Sequence, residues 1–441
     1  MGLPSAESLR ARIPDVNDGI VAVAGVVQGL LAAGAGYDAL VAASAVATIA
    51  GGASLAGTTY AGAAADRDAE LALIREELTA LESDPEAELE ELAAYYRERG
   101  VEPDLAREVA RQVSALVPSV ERLTFGKNGS DACTLAARLA RVFTGRRTLL
   151  FSGYHGWQDF WAEQSGFAQS GVPERVPPLI HRFRMNDVDD FERLFERHRA
   201  DLAAVMLEPA GAVEGPQGPV PDADAAFLRH LRQRTREAGA LLVFDEIFTC
   251  FRYPGHTVQQ ATGVAPDLTC LGKALGGGLP LSALGGRADV LESAMDRTHY
   301  GPTFRGEAYA LAAARAALAV YQREPVAAHV WSHGERLRAL LDAAGREAGL
   351  AARCVGPPFR MVVAFDEPDA QRQRLLGTLL HQELLRRGVL TYKGFWLPSW
   401  GHDDGTLEQA AAAARAAFAA LARALRAGRL DEALETPLLA L

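Results

Sequence analysis

The sequence predicts an α/β protein built on a buried parallel sheet and preceded by an all-α segment. Three observations carry this. Leu149–Phe151, Leu202–Leu207 and Ala240–Phe244 are short apolar runs bounded by turn or charged residues, the pattern of strands covered on both faces. Helical patterns such as Ala223–Glu237 separate the runs, which calls for right-handed crossovers. Gly19–Ala65 is a long stretch whose single charge is Asp38.

The chain has 441 residues, 49% of them hydrophobic, enough for two or three domains with sizeable cores. Its formal net charge of -11 and the lack of a dense basic run exclude a general nucleic-acid binder, which needs clustered Lys and Arg to neutralise phosphates. Cys133, Cys250, Cys270 and Cys354 are scattered without CxxC spacing, so neither a disulfide framework nor a zinc site is expected. A reducing compartment fits that pattern.

Taken in order, residues 1–65 form the first segment. Asp38 divides its uncharged stretch into Gly19–Gly36 and Ala39–Ala65, each about long enough at ~1.5 Å per helical residue to cross a hydrocarbon core. The expectation is a membrane-associated helical hairpin, with Arg10, Arg12 and Arg67 placing both ends and the domains that follow on the cytoplasmic side. A pair of buried helices in a soluble protein is the alternative. Residues 66–113 read as short acidic amphipathic helices. Ala69, Leu73, Leu78 and Leu81 recur among glutamates, and Ser83-Asp84-Pro85-Glu86 marks a break and restart.

This front portion resembles the VIT/CCC1-like iron/manganese transporter family, on Asp15–Val21, Arg67-Asp68-Ala69-Glu70 and Asp84–Leu92. The resemblance implies membrane helices leading into a metal-binding helical domain. Where that family carries a metal-binding Met and Glu, this chain has Leu55 and Thr59, which lack the thioether and carboxylate an ion path needs. The hairpin is therefore expected to anchor rather than transport. The acidic helices are read as solvated charged faces, and no metal site is assigned.

Residues 114–336 are expected to form the large α/β domain, and 337–441 a smaller one with a strand at Met361–Phe365 and a helix over Leu407–Ala427. Within the large domain, Phe125–Ala132 follows the strand-like run Arg122–Phe125 and opens a helix. Such a turn offers free N–H groups and a positive dipole end to a phosphate, although a plain capped helix has the same pattern. Asp245 ends the run Ala240–Phe244, where an open α/β sheet places its ligand crevice. Lys273 lies beside Gly276-Gly277-Gly278. A phosphate seat, a buried acid and an approachable lysine are together the parts a pyridoxal 5'-phosphate (PLP) site needs.

From about Val113 onward the chain resembles the class III PLP-dependent aminotransferases, especially the glutamate-1-semialdehyde aminomutase-like branch. The strings are Gly126–Ala132, Gly153-Tyr154-His155-Gly156-Trp157, Leu207-Glu208-Pro209, Phe244-Asp245-Glu246, Leu271–Gly278 and Thr303–Glu307. The resemblance implies a fold-type-I PLP-dependent transferase with a large PLP domain and a small C-terminal domain. It also implies a homodimer with shared active sites, acting on a small amine or amino acid. It implies that Lys273 forms the Schiff base with PLP and shuttles a proton, that Asp245 pairs with the pyridine nitrogen, and that Tyr154 stacks on the ring beside His155. By the same resemblance Gly129 and Ser130, followed by Asp131, hold the phosphate, Thr303 reaches the phosphate of the partner subunit, and Glu208 lies on the substrate side.

Phe248 stands where many relatives carry Gln or Val, and Tyr392–Ser399 lacks the arginine that grips substrate carboxylates in some relatives. Two alternatives stay open: a PLP enzyme of another reaction type on the same scaffold, and a metal-responsive or membrane scaffold protein with a degenerate aminotransferase half.

Overall fold

The computed structural model describes residues 104–158, 161, 179–210, 222–392, 394–435 and 437–438, together with 24–25, 27–34, 36–50, 52, 60, 67–69 and 71–72. The chain divides into two compact units, Met1–Gly100 and Val101–Leu441.

In the first unit, residues 27–32 and 37–50 are helical. The chain turns at Ala33 and Gly34, not at Asp38, because Gly34 adopts the left-handed φ of 78° that closes the turn. Asp38 instead sits in the first turn of the second helix, where a carboxylate favours the positive end of the dipole. Leu31, Val41, Val46 and Ile49 are exposed. No helix among the described residues is long and apolar enough to cross a membrane. Much of the expected hairpin, and most of the acidic segment, lies outside the described residues.

The second unit opens with α1 (Leu105–Leu116), whose Leu105, Val109 and Val113 pack into the same core cluster as Leu271, Leu275 and Leu311. The expected boundary at 113 thus falls inside a helix of the catalytic unit. Next come β1 (Arg122–Gly126), α2 (Gly129–Thr144), β2 (Thr148–Ser152), β3 (Ile180–Arg182), α3 (Val188–His198), β4 (Leu202–Leu207), α4 (Ala225–Ala238), β5 (Leu241–Asp245), α5 (Val258–Thr262), β6 (Leu268–Leu271), β7 (Ser282–Gly286), α6 (Ala288–Ala294) and α7 (Ala308–Arg323).

The strands form one sheet of order β1-β7-β6-β5-β4-β2-β3. β3, β2, β4, β5 and β6 are parallel, while β7 is antiparallel to both β6 and β1. The three runs expected as parallel strands are β2, β4 and β5 and are parallel neighbours, and β7 makes the sheet as a whole mixed. Alternate side chains feed opposite faces, as the period-2 geometry of strands requires. Phe151, Met206 and Val243 join Leu135 and Leu139 of α2 on one face. Leu150, Val205, Leu242 and Phe244 join Phe191 and Leu228 on the other. Asp267 ties the centre together, accepting from Leu242 N at 2.8 Å, Arg232 Nη1 at 2.8 Å and Arg287 Nη1 at 3.0 Å.

α8 (Val326–Glu347) is continuous across the expected boundary at 336. Its N-terminal Val326 and Val330 pack with Phe359, and its C-terminal Leu337 and Leu341 enter the core of the small C-terminal part. That part contains β8 (Ala352–Val355), β9 (Met361–Phe365), α9 (Ala370–Leu385), β10 (Phe395–Trp396) and α10 (Asp404–Arg426). Its antiparallel sheet has the order β10-β9-β8.

Candidate active site

Because β2, β4, β5 and β6 are parallel neighbours, their C-terminal ends meet at one edge of the sheet. The residues that leave those ends are Tyr154 and His155, Glu208, Asp245, and Lys273. Topology alone thus brings together five positions spread over 120 residues of sequence.

Asp245 is buried and fully engaged. Its Oδ1 accepts from Ile247 N at 3.1 Å, and its Oδ2 accepts from Cys133 Sγ at 3.2 Å and lies 2.8 Å from His155 Nδ1. His155 Nε2 faces the Ser152 carbonyl at 3.1 Å, so both ring nitrogens of His155 point at acceptors. Trp161 and Phe151 pack edge-on against the imidazole at 5.2 and 5.8 Å, which fixes its plane. The metal-like grouping of Cys133, His155 and Asp245 is therefore a hydrogen-bonded unit around one carboxylate.

Glu208 is held by the Tyr154 backbone N–H at 2.8 Å. The turn after β2 fits around it only because residue 153 is glycine: φ is 101°, and a Cβ there would stand 2.8 Å from Glu208 Oε2. Burial, together with the negative field of Asp245, pushes the Glu208 carboxyl up to about 7. The Tyr154 side chain is half-exposed, and burial raises its phenol.

Lys273 opens a 3-10 turn, Lys273–Gly276, directly after β6. Its φ of 44° is left-handed, a conformation that costs a non-glycine residue about 1–3 kcal/mol and persists only where its surroundings hold it. Its Nζ lies 4.7 Å from the Phe248 ring centroid. Burial lowers its ammonium pKa, opposed by the charges of Asp245 and Glu208.

α2 begins with a capping box. Asn128 accepts from Asp131 N at 3.2 Å, and Asp131 Oδ2 accepts from the backbone N–H groups of Asn128 and Lys127, each at 3.0 Å. Asp131 is thereby committed to shaping the turn. Gly129 fits because a Cβ would meet Ile247 Cδ1 at 2.7 Å. Gln158 Oε1 and Ser282 Oγ are buried without a hydrogen-bond partner among the described residues. They stand beside this turn: a Cβ on Gly156 would lie 2.7 Å from both Gln158 Oε1 and Ser130 Oγ, and one on Gly126 2.7 Å from Ser282 Oγ. A helix N-terminus with the unsatisfied Ser282 hydroxyl beside it, a buried carboxylate and a lysine amine at the same sheet edge are the groups PLP requires, so these residues fit that cofactor.

Thr303 stands apart, in the exposed turn Thr303–Gly306, with no hydrogen bond among the described residues. Sequence reasoning missed four residues of the cluster. Cys133 is one helical turn beyond Gly129, a spacing that could have flagged it. Ile247, two residues after Asp245, packs on both Gly129 and Gly272. Arg252 and Arg360 reach the Phe248 ring at 4.8 and 4.2 Å, and no motif announces either.

Comparison with known proteins agrees with this arrangement. Residues 90–393 match the family Aminotransferase class-III, and residues 9–127 match the VIT family. A glutamate-1-semialdehyde 2,1-aminomutase of Thermomicrobium roseum is 34% identical over 72% of this chain and 78% of its own length. A 3-aminobutyryl-CoA aminotransferase of Cloacimonas acidaminovorans is 28% identical over 65% of this chain and 68% of its own. The PLP internal aldimine form of the FumI protein of Sphingopyxis sp. MTA144 superposes with a TM-score of 0.67 at 26% identity, covering 77% of this chain and 82% of that one. Over most of its length, then, the chain is a PLP-dependent enzyme of fold type I and belongs to the class III aminotransferases.

Proposed function

We propose that this enzyme moves the amino group of a small amine or amino acid, with Lys273 as the residue that bonds the cofactor. The observation that carries the reading is Lys273, held in a left-handed backbone position at the sheet edge and under the fields of Asp245 and Glu208. When bound, PLP supplies an aldehyde for the substrate amine and a ring that accepts the electron pair released at the substrate carbon. The chain's own residues do the rest. The Lys273 ammonium is shifted down by desolvation, which favours the neutral amine that bonds a carbonyl carbon and afterwards carries a proton. Asp245, gripped by His155, Cys133 and Ile247 N, presents a fixed negative charge for the ring nitrogen. Gly129 and Ser130 offer N–H groups and a hydroxyl to the phosphate, and Tyr154 covers the ring face.

Borohydride reduction of the PLP-loaded protein, followed by peptide mass mapping, should place the pyridoxyl group on Lys273. A label on another lysine would overturn the assignment.

The same reading extends to assembly. Exposed Thr303 and the exposed apolar side chains Phe304, Tyr309 and Trp157 suit a homodimer in which Thr303 serves the partner's phosphate. The VIT family match and the exposed Leu31, Val41, Val46 and Ile49 support a membrane-associated first unit with the catalytic unit outside the bilayer.

A further inference from the structure

Lys273 is left-handed where glycine would be the easier residue. Its φ of 44° is one of four positive values at non-glycine positions among the described residues. Gly277 and Gly278, just beyond it, take φ of 56° and 104° with no Cβ to clash. Lys273 has a Cβ, so the turn Lys273–Gly276 keeps this conformation only while its surroundings hold it.

Two side chains from outside the turn grip its backbone. Gly272 O accepts from Leu275 N at 2.9 Å, the bond that closes the turn, and also from Cys250 Sγ at 3.2 Å. Ala274 O accepts from Gly277 N at 3.3 Å and also from the Tyr321 hydroxyl at 3.0 Å. One gripped carbonyl immediately precedes Lys273 and the other immediately follows it in sequence. Cys250 is buried in the turn after β5. Tyr321 lies on α7, whose Ala313 and Ala317 back the same turn: a Cβ on Gly277 would stand 3.4 Å from Ala313 O and 3.3 Å from Ala317 Cβ. Ala313, Ala317 and Tyr321 are spaced by four residues and so share one helix face. The Phe251 ring stacks on Tyr321 at 4.7 Å and 4°, which fixes the direction of the hydroxyl. Phe251 adjoins Cys250, so the two donors belong to one packed unit.

Filling space would require neither donor. The core around them is otherwise apolar, with Leu271, Leu275 and Leu318 among its members. A thiol and a phenol aimed at two carbonyls of one strained turn supply direction as well as volume.

We propose that Cys250 and Tyr321 are positioning residues for Lys273. By gripping Gly272 O and Ala274 O they hold its left-handed conformation and set the position from which its amine bonds the cofactor. This rests on the reading of Lys273 as the residue that bonds PLP, and it names what presents that lysine.

The test uses the full chain, PLP and borohydride. Condensation of the lysine amine with the PLP aldehyde forms one C=N bond and releases one water, and absorbance after rapid mixing reports its rate. Tyr321→Phe removes a hydroxyl and keeps the stacked ring. Cys250→Ala removes the other donor, and Cys250→Ser puts one back. Leu228→Ala, on α4 in the core across the sheet, lowers stability without touching the turn. Tyr321→Phe and Cys250→Ala should each slow the condensation by about tenfold, the size of effect that one lost hydrogen bond or a small misplacement brings. Cys250→Ser should recover part of the rate, and Leu228→Ala should keep the wild-type rate despite a lower melting temperature. Tyr321→Phe carries the test alone if Cys250→Ala does not fold. Rates within about twofold of wild type in Tyr321→Phe and Cys250→Ala overturn the proposal, as does an equal slowing in Leu228→Ala.

Hydrogen exchange of the cofactor-free chain reads the grip without any bond to PLP. The amides of Leu275 and Gly277, followed in the peptide that spans the turn, should exchange about tenfold faster in Tyr321→Phe and Cys250→Ala, and at the wild-type rate in Leu228→Ala. Unchanged exchange in both donor variants overturns the proposal. If exchange quickens as expected while borohydride labels a lysine other than Lys273 in the wild type, the grip on the turn stands and the Lys273 reading falls.

Discussion

Glu208 and Asp245 are two buried carboxylates at the same sheet edge, and their surroundings separate them. Asp245 is surrounded by donors. Glu208 has one backbone donor, lies under the field of Asp245 and is pushed up to about 7. The sign of the consequence follows from linkage. Glu208 titrates near 4.5 in the unfolded chain, so its contribution to stability is complete below that pH. It is lost as pH rises through 7, because the folded chain holds a proton that the unfolded chain has released. Denaturant midpoints of the cofactor-free protein at the two ends of this window should therefore fall with pH, and Glu208→Gln should flatten the fall. An unchanged slope in the variant would show that another group titrates there.

At the scale of elements, the contact between α8 and the turn that carries Arg360 is the tightest for a glycine among the described residues. Gly334 lies mid-helix, and a Cβ there would stand 2.2 Å from Pro358 O, a backbone atom with no rotamer to yield. By helix propensity alone, Gly334→Ala would gain roughly 1 kcal/mol. Overpacking against rigid backbone costs about 1–3 kcal/mol or more, and the clash wins. Thermal melts should show Gly334→Ala less stable than the wild type by a few degrees. A melting temperature equal to or above that of the wild type would mean the helix can shift away freely.

For the whole molecule, the question is what covers the apolar side chains left exposed in each unit. The proposed dimer would cover Phe304 and Tyr309, and the proposed membrane contact would cover Leu31, Val46 and Ile49. The full chain should float with phospholipid vesicles, whereas a chain starting at Val101 should stay in solution and scatter light as a dimer. A full chain that remains monodisperse without lipid would make the first unit a protein contact. A monomeric catalytic unit would remove Thr303 from the site.

The sequence by itself determined the central strands and the family. Leu202–Leu207 and Met361–Phe365 match the structure to the residue, because uninterrupted apolar runs bounded by turns leave a strand no other register. The positions of Lys273, Asp245, Glu208 and Tyr154 at one sheet edge follow from the sequence pattern, since each ends a strand or comes just after one, where glycines and turn residues mark the boundary. The rest depended on tertiary structure. β7 ends in two glycines and runs antiparallel, a direction that no local pattern encodes. The boundary inside α8 was invisible because one helix serves two cores. Cys133 and Arg360 joined the site only through a contact across 112 residues for the thiol and between separate elements for the arginine. Local sequence sets periodicity and turns, whereas the neighbours of a buried charge are set by packing, and it is packing that brought Arg360 to Phe248.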